Sequence, residues 1–325
     1  MKFRVFSTLI LGLLPTIAVA DKLSVVTSIK PLQLIADEIV GEQGETSALI
    51  PPGASPHHYA MKPSDRRKLA AADLVVWVGP SLETFLERPL ADNNAPVLQL
   101  LASAEDAEHE GHDEHKGHDE HKGHDEHEGH DEHKGHDEHK GHDEHAGHDE
   151  HDHGDVDPHL WLDPFLALEM AGKIRDQLKA VAPEQAAAFE QNYQTFAARL
   201  VKADKAMRQQ LSAVEDKGFF VFHDAYGHFV DHYHMKQLGY FTVDPGRQPG
   251  ARHLAEIREQ LENNAAVCVF SEPQFKAAVV EAITEGVEVG HGVLDPLARD
   301  QKPGAGAYLS YLQGLADQLT GCLSR

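Results

Sequence analysis

Apolar residues along the chain come in short bursts separated by amphipathic stretches. Residues 22–29 carry the run Ser24-Val25-Val26-Thr27, which reads as a strand. Residues 30–41 switch to helical spacing, with Leu32, Ile35 and Ile39 on one face and Gly41 as the stop. A short strand is expected over 46–50, a Pro/Gly loop over 51–56, a short helix over about 64–71 and a buried strand over 74–78. Strand and helix alternate, which predicts an α/β domain with a largely parallel sheet.

Farther on, Asp163-Pro164 places Asp at an N-cap and Pro at the first helical position, opening a helix to about residue 181. Pro183 starts an Ala- and Gln-rich helix reaching about residue 214. At ~1.5 Å per residue it would span about 45 Å, which suits a stiff connector. The alternation then returns, with strands over 218–222, 240–243 and 267–270 and helices over 252–263, 275–285 and 308–323. The fold expected is two α/β lobes with mostly parallel sheets joined by a long rigid helix. The divisions are 21–182 for the first lobe, 183–214 for the connector and 215–325 for the second lobe. Residues 1–20 read as a cleaved secretory signal: Lys2 and Arg4, an apolar run broken by Pro15, then Ala18-Val19-Ala20. No Cys lies beside that cleavage site, so a soluble periplasmic protein is expected.

Charge changes this picture in one place. Of 325 residues, 29 are Lys or Arg and 53 are Asp or Glu, for a net charge of −24. Residues 105–157 hold 22 of the acidic and 4 of the basic residues, so an ordinary, mildly acidic protein carries one very acidic insert. Without clustered Lys and Arg, the chain is not expected to bind nucleic acid.

The insert, 105–155, is a repeat of Gly-His-Asp-Glu-His-Lys and close variants, and 16 of the 25 histidines lie between His109 and His153. Gly every six residues disfavours a helix, and nothing apolar offers a core. A disordered segment is expected in the absence of metal. Imidazole suits Zn²⁺, Cu²⁺ and Ni²⁺, and the carboxylates add attraction. The repeat therefore reads as a weak, multi-site metal trap, with a plain solvated linker as the simpler alternative. Its auxiliary ligands would be His112, His115, His118, His121, His124, His127, His130, His133, His136, His139, His142, His145, His148 and His151. Fragments such as His109-Glu110-Gly111-His112 lack the spacing of a zinc-protease motif.

Outside the repeat, three histidines occupy telling places. His57 follows the Pro/Gly loop, His159 lies in Pro158-His159-Leu160-Trp161-Leu162, and His223 ends the apolar strand. Ligands of open α/β sheets bind beyond the carboxyl ends of strands. Each residue alone reads as a hydrogen-bonded structural His; together, beside a metal-trapping insert, they read as ligands. Asp295, after a short possible strand, could donate a fourth oxygen or simply cap a turn. His228, His232 and His234 read as a solvated helix face rather than a metal site. The only cysteines, Cys268 and Cys322, are a disulfide candidate in an oxidising compartment.

Four segments carry a family resemblance: 52–59 (Pro-Gly-Ala-Ser-Pro-His-His-Tyr) with Lys62-Pro63-Ser64-Asp65, His159-Leu160-Trp161-Leu162, Phe222-His223-Asp224-Ala225-Tyr226, and Glu272-Pro273-Gln274-Phe275. In order and over essentially the whole mature chain, they resemble the metal-binding solute receptors of ABC importers, most closely the zinc-uptake receptors. The resemblance implies Zn²⁺ held in the cleft between the lobes by His57, His159 and His223. It also implies delivery to a membrane permease with its ATPase by a monomeric receptor that is not an enzyme. The family's manganese receptors generally carry Glu at the position of His223, and His there favours zinc. Asp295 matches an acidic position that ligates metal in some relatives, and the cysteine pair matches a disulfide of the family's zinc receptors. Affinity is expected to fall as pH drops through roughly 6–7, where ordinary imidazoles take up protons. A zinc buffer or storage protein, and less readily a zinc-dependent hydrolase, are the other readings the residues leave open.

Overall fold

The computed structural model describes residues 22–101, 156–244, 246, 248–263, 265–275 and 278–325. The leader (1–20) and the histidine-rich insert (105–155) read from the sequence lie outside them.

Among the described residues eight strands form two sheets: β1 (Leu23–Thr27), β2 (Gly44–Ala48), β3 (Leu74–Trp77) and β4 (Val97–Gln99), then β5 (Phe219–His223), β6 (Gln237–Thr242), β7 (Cys268–Ser271) and β8 (Gly290–Val293). The helices are α1 (Lys30–Val40), α2 (Pro63–Ala70), α3 (Pro80–Glu83), α4 (Glu87–Ala91), α5 (Pro164–Val181), α6 (Ala186–Leu211), α7 (Gly227–Tyr233), α8 (Ala251–Glu262), α9 (Ala278–Thr284) and α10 (Ala307–Leu323). Every strand pairing is parallel, and both sheets have the same order, β2-β1-β3-β4 and β6-β5-β7-β8. The α/β class read from the sequence is thus the observed one.

Strand alternation places the layers. Val25 and Val76 of the first sheet join Phe219, Val221 and Phe270 of the second, with Phe189, Phe196, Leu200 and Met207 of α6, in one buried apolar core. Val26, Val75 and Trp77 face a separate outer cluster under the first sheet, and Phe220, Phe222 and Val269 face another under the second. Period two also decides His223: it shares a face with Phe219 and Val221, so its ring points toward the other lobe.

The connector is shorter than its sequence pattern suggests. Pro183–Gln185 forms a 3₁₀ turn and the α-helix proper has 26 residues, spanning ~39 Å at 1.5 Å each. The second strand sits two residues earlier than expected because its register is set by pairing, Leu23↔Gly44 through Thr27↔Ala48. A Cβ at residue 44 would lie 2.4 Å from the Leu23 carbonyl oxygen, so this crossing requires glycine. Hydrogen bonds that tie the lobes together include Trp161 Nε1 to the Pro296 carbonyl (2.7 Å) and Tyr308 Oη to the Trp161 carbonyl (2.9 Å), and from within the second lobe Tyr311 Oη donates to the same Pro296 oxygen (2.8 Å). Cys268 and Cys322 are joined in a disulfide, tying β7 to α10.

Candidate metal centre

Each of the three histidines reaches the site from a different kind of support. His223 is the last residue of β5, the strand flanked on both sides by β6 and β7. His159 precedes a 3₁₀ turn, Leu160–Leu162, whose three residues are all buried. That turn leads into α5, where the Asp163 carboxylate caps the helix by accepting from the backbone N–H groups of Phe165 and Leu166. His57 sits in the Pro/Gly loop after β2. Downstream, that loop is anchored by Asp65, which accepts from the Lys62 N–H (2.7 Å) and the Tyr59 hydroxyl (2.8 Å).

The rings converge. Centroid separations are 5.0 Å for His159–His223, 5.5 Å for His57–His223 and 5.8 Å for His57–His159. One ring nitrogen from each lies within 4.8 Å of the others, and among the described residues this is the one such group of metal-ligand side chains. A tetrahedral zinc with bonds of ~2.0–2.1 Å sets its ligand nitrogens about 3.3 Å apart, so the triad would close by at most about 1.5 Å. The rings line a cavity of about 10 Å³, walled otherwise by Ser55, Pro56, Glu272, Phe275, Pro296 and Leu297. That is room for one water-sized body.

The nitrogens are prepared for ligation. Nε2 of His57 and Nε2 of His223 are buried and without a hydrogen-bond partner, a rare condition that a cation would relieve. Asp157 Oδ1 lies 2.7 Å from Nδ1 of His159. A carboxylate only accepts, so Nδ1 carries the proton and Nε2 keeps its lone pair. Behind His223, Oε1 of Glu272 lies 3.6 Å from Nδ1. Burial, followed by the neighbouring imidazoles of His223 and His159, lowers the His57 pKa to about 3. Burial also lowers that of His159, against the pull of Asp157. His57 therefore stays neutral well into the acid range, and the same burial favours the neutral form of His159.

Residues 25–322 match the family described as zinc-uptake complex component A, periplasmic, or ZnuA. The chain belongs to the ZnuA family. It is 43% identical over 323 residues to the high-affinity zinc uptake system protein ZnuA of Haemophilus influenzae, covering 96% of this chain and 95% of that one. It is 40% identical over 305 residues to the Yersinia pestis protein of the same name, covering 92% and 91%. A crystal structure of ZnuA shares the fold with a TM-score of 0.70 at 24% identity, covering 93% of this chain and all (100%) of that one. The ZnuA-like domain of Streptococcus pneumoniae AdcA, solved with Zn(II), does so with a TM-score of 0.66 at 22% identity, covering 94% of this chain and 100% of that one. ZnuA proteins are components of uptake systems, not enzymes.

Within this ZnuA-family site the other sequence candidates are placed differently. Asp295 lies outside the group of converging ligand atoms. Its Oδ1 accepts from Gln274 Nε2 (2.5 Å) and the Leu297 N–H (3.0 Å), and its Oδ2 from the Arg299 N–H (2.5 Å). It thus shapes the turn that carries two of the cavity walls, Pro296 and Leu297. His228 and His232 are not a solvated face. His228 Nε2 donates to the Asp157 carbonyl (3.0 Å). His232 is held between Asp163 (3.1 Å) and Asp204 (2.8 Å), with Arg208 bonded to its carbonyl. Asp157 and Glu272 went unassigned in the sequence. Asp157 stands two residues before His159, a spacing that suggests local backing, but Glu272 meets His223 only through the β5–β7 pairing.

Proposed function

We propose that the protein is a periplasmic receptor that captures Zn²⁺ with His57, His159 and His223 and hands it to an ABC permease driven by its ATPase. The observation that carries this reading is the convergence of three imidazoles from distant chain positions on one enclosed space. Three neutral nitrogens and one oxygen make a tetrahedral zinc site. The oxygen would come from water, or from Asp295 sharing an oxygen it now gives to backbone N–H groups. The lobes, divided by the 183–214 segment, each contribute to the site, so the cation fastens one to the other. The repeat (105–155) serves as an auxiliary trap, its many imidazoles raising the local concentration of zinc near the cleft.

Titration calorimetry with competing chelators tests this division of labour. The full chain should show one tight and several weaker sites, and deleting 105–155 should leave the tight one alone. Loss of the tight site with the repeat would refute the assignment. Zinc-limited growth of a deletion strain separates import from storage, since a receptor's loss impairs uptake at low zinc.

A further inference from the structure

The three proposed ligands are neutral, yet the ion they would enclose carries two positive charges. Taking a divalent ion out of water without compensating charge is costly. The cavity wall holds one ionisable group besides the histidines, Glu272, among Ser55, Pro56, Phe275, Pro296 and Leu297. Glu272 is 4% exposed, its Oε1 has no hydrogen-bond partner, and that oxygen lies 3.6 Å from Nδ1 of His223. Asp157 stands in the same relation to His159, at 2.7 Å from Nδ1. Among the described residues, both carboxylates have only histidines as ion-pair partners: His159 and His228 for Asp157, His223 for Glu272.

We infer that Glu272 and Asp157 are the charge-balancing and positioning residues of the metal site, each acting through one imidazole to neutralise one unit of the divalent cation. The inference rests on the zinc-receptor reading above. Two carboxylates and one dication sum to zero, whereas a monovalent ion in the same cage leaves one negative charge buried and uncompensated. The cage therefore discriminates by charge as well as by geometry. His57, which has no such carboxylate behind it among the described residues, contributes a lone pair but no balance. Glu272 acts from behind His223, since it lies outside the group of converging ligand atoms.

The test compares Glu272→Gln and Asp157→Asn with the full wild-type chain. The repeat is identical in all three, so differences report on the cleft. Zn²⁺ affinity, measured by chelator competition, should fall about 10- to 100-fold in each variant, the usual cost of losing an outer partner of a ligating His. Ag⁺ affinity should fall less, about 3- to 10-fold, because a single charge feels the lost carboxylate half as strongly. The Co²⁺-loaded variants should keep the wild-type visible absorption bands. Equal fold-loss of Zn²⁺ and Ag⁺ would mean a structural role, and shifted Co²⁺ bands would mean direct ligation. Unchanged Zn²⁺ affinity would mean no role, and each of these three results overturns the inference. His57→Ala serves as the control. If it loses tight Zn²⁺ binding while Glu272→Gln does not, this inference alone fails. If His57→Ala binds normally, the site itself has been misplaced.

Discussion

The two sheets share one strand order but present their imidazoles differently. The second sheet fixes His223 as the terminal residue of a strand paired on both sides, with a carboxylate behind its ring. The first sheet delivers His57 on a Pro/Gly loop beyond β2, where among the described residues no carboxylate is ion-paired to the ring and its neighbour His58 faces Asp244 across the cleft at 2.8 Å. One wall of the site is therefore part of the scaffold, while the other is a loop that can adjust around a captured ion. Receptors that must both hold and release need this asymmetry, because a ligand set rigid on every side resists entry and exit alike.

The largest expected effect tests that contrast directly. Four ligands share roughly 10–16 kcal/mol in structural zinc sites, so His223→Ala and His57→Ala should each weaken zinc binding on the order of a hundred- to a thousandfold. Added free imidazole should restore binding to His57→Ala more than to His223→Ala, because the loop side gives it a way in. Equal rescue, read by chelator competition, would erase the distinction between the walls. Next comes the disulfide, which is confined to the second lobe. Reducing Cys268–Cys322, separated by 54 residues, should cost about 4 kcal/mol of stability on the chain-entropy model. This is measured by urea unfolding with and without reductant, and zinc affinity at neutral pH should change little.

Smaller still is the pH response. The sequence alone suggests that binding fades through pH 6–7. The His57 pKa, lowered to about 3 chiefly by burial, moves the window down, as does burial of His159. Between pH 7 and 5.5 the affinity should fall clearly less than the several hundredfold expected for three ordinary imidazoles. For the metal-free fold the sign is separate. The unfolded chain takes up a proton at His57 near pH 6.5 that the folded chain refuses, so this contribution is lost as pH falls from 6.5 toward about 3. His232 runs the other way. Burial opposes its charge, but hydrogen bonds to Asp163 and Asp204 outweigh burial and raise its pKa. Its contribution is full below 6.5 and disappears as pH rises through the folded value. Thermal melts across pH, with and without His232→Ala, resolve the two. The smallest effect belongs to the exposed His58–Asp244 pair: His58→Ala should change stability by less than about 1 kcal/mol and zinc affinity by only a few-fold.

Much of this was legible in the sequence, for identifiable reasons. Strands such as 74–78 and helix starts such as Asp163-Pro164 carry local signals, and their elements appear within a residue or two of expectation. β4 did not, because three residues at a sheet edge, Val97 itself exposed, show no alternation. The His triad could be picked out because His57 follows the Pro/Gly loop after a strand, His159 has apolar neighbours and His223 ends an apolar strand. The partners of His232 were not, since Asp163 and Asp204 come from the start of α5 and from within α6, and only the packing of α7 against them makes the contact. Asp295 carried two compatible signals, ligand and cap, and its three N–H donors show the cap.

The apolar interior that passes unbroken from one sheet through α6 to the other leaves the halves little freedom to swing like a clamshell. Filled and empty molecules should then present nearly the same outline to the membrane machinery. What distinguishes a loaded carrier would be the posture of one short stretch, residues 51–62, at the rim.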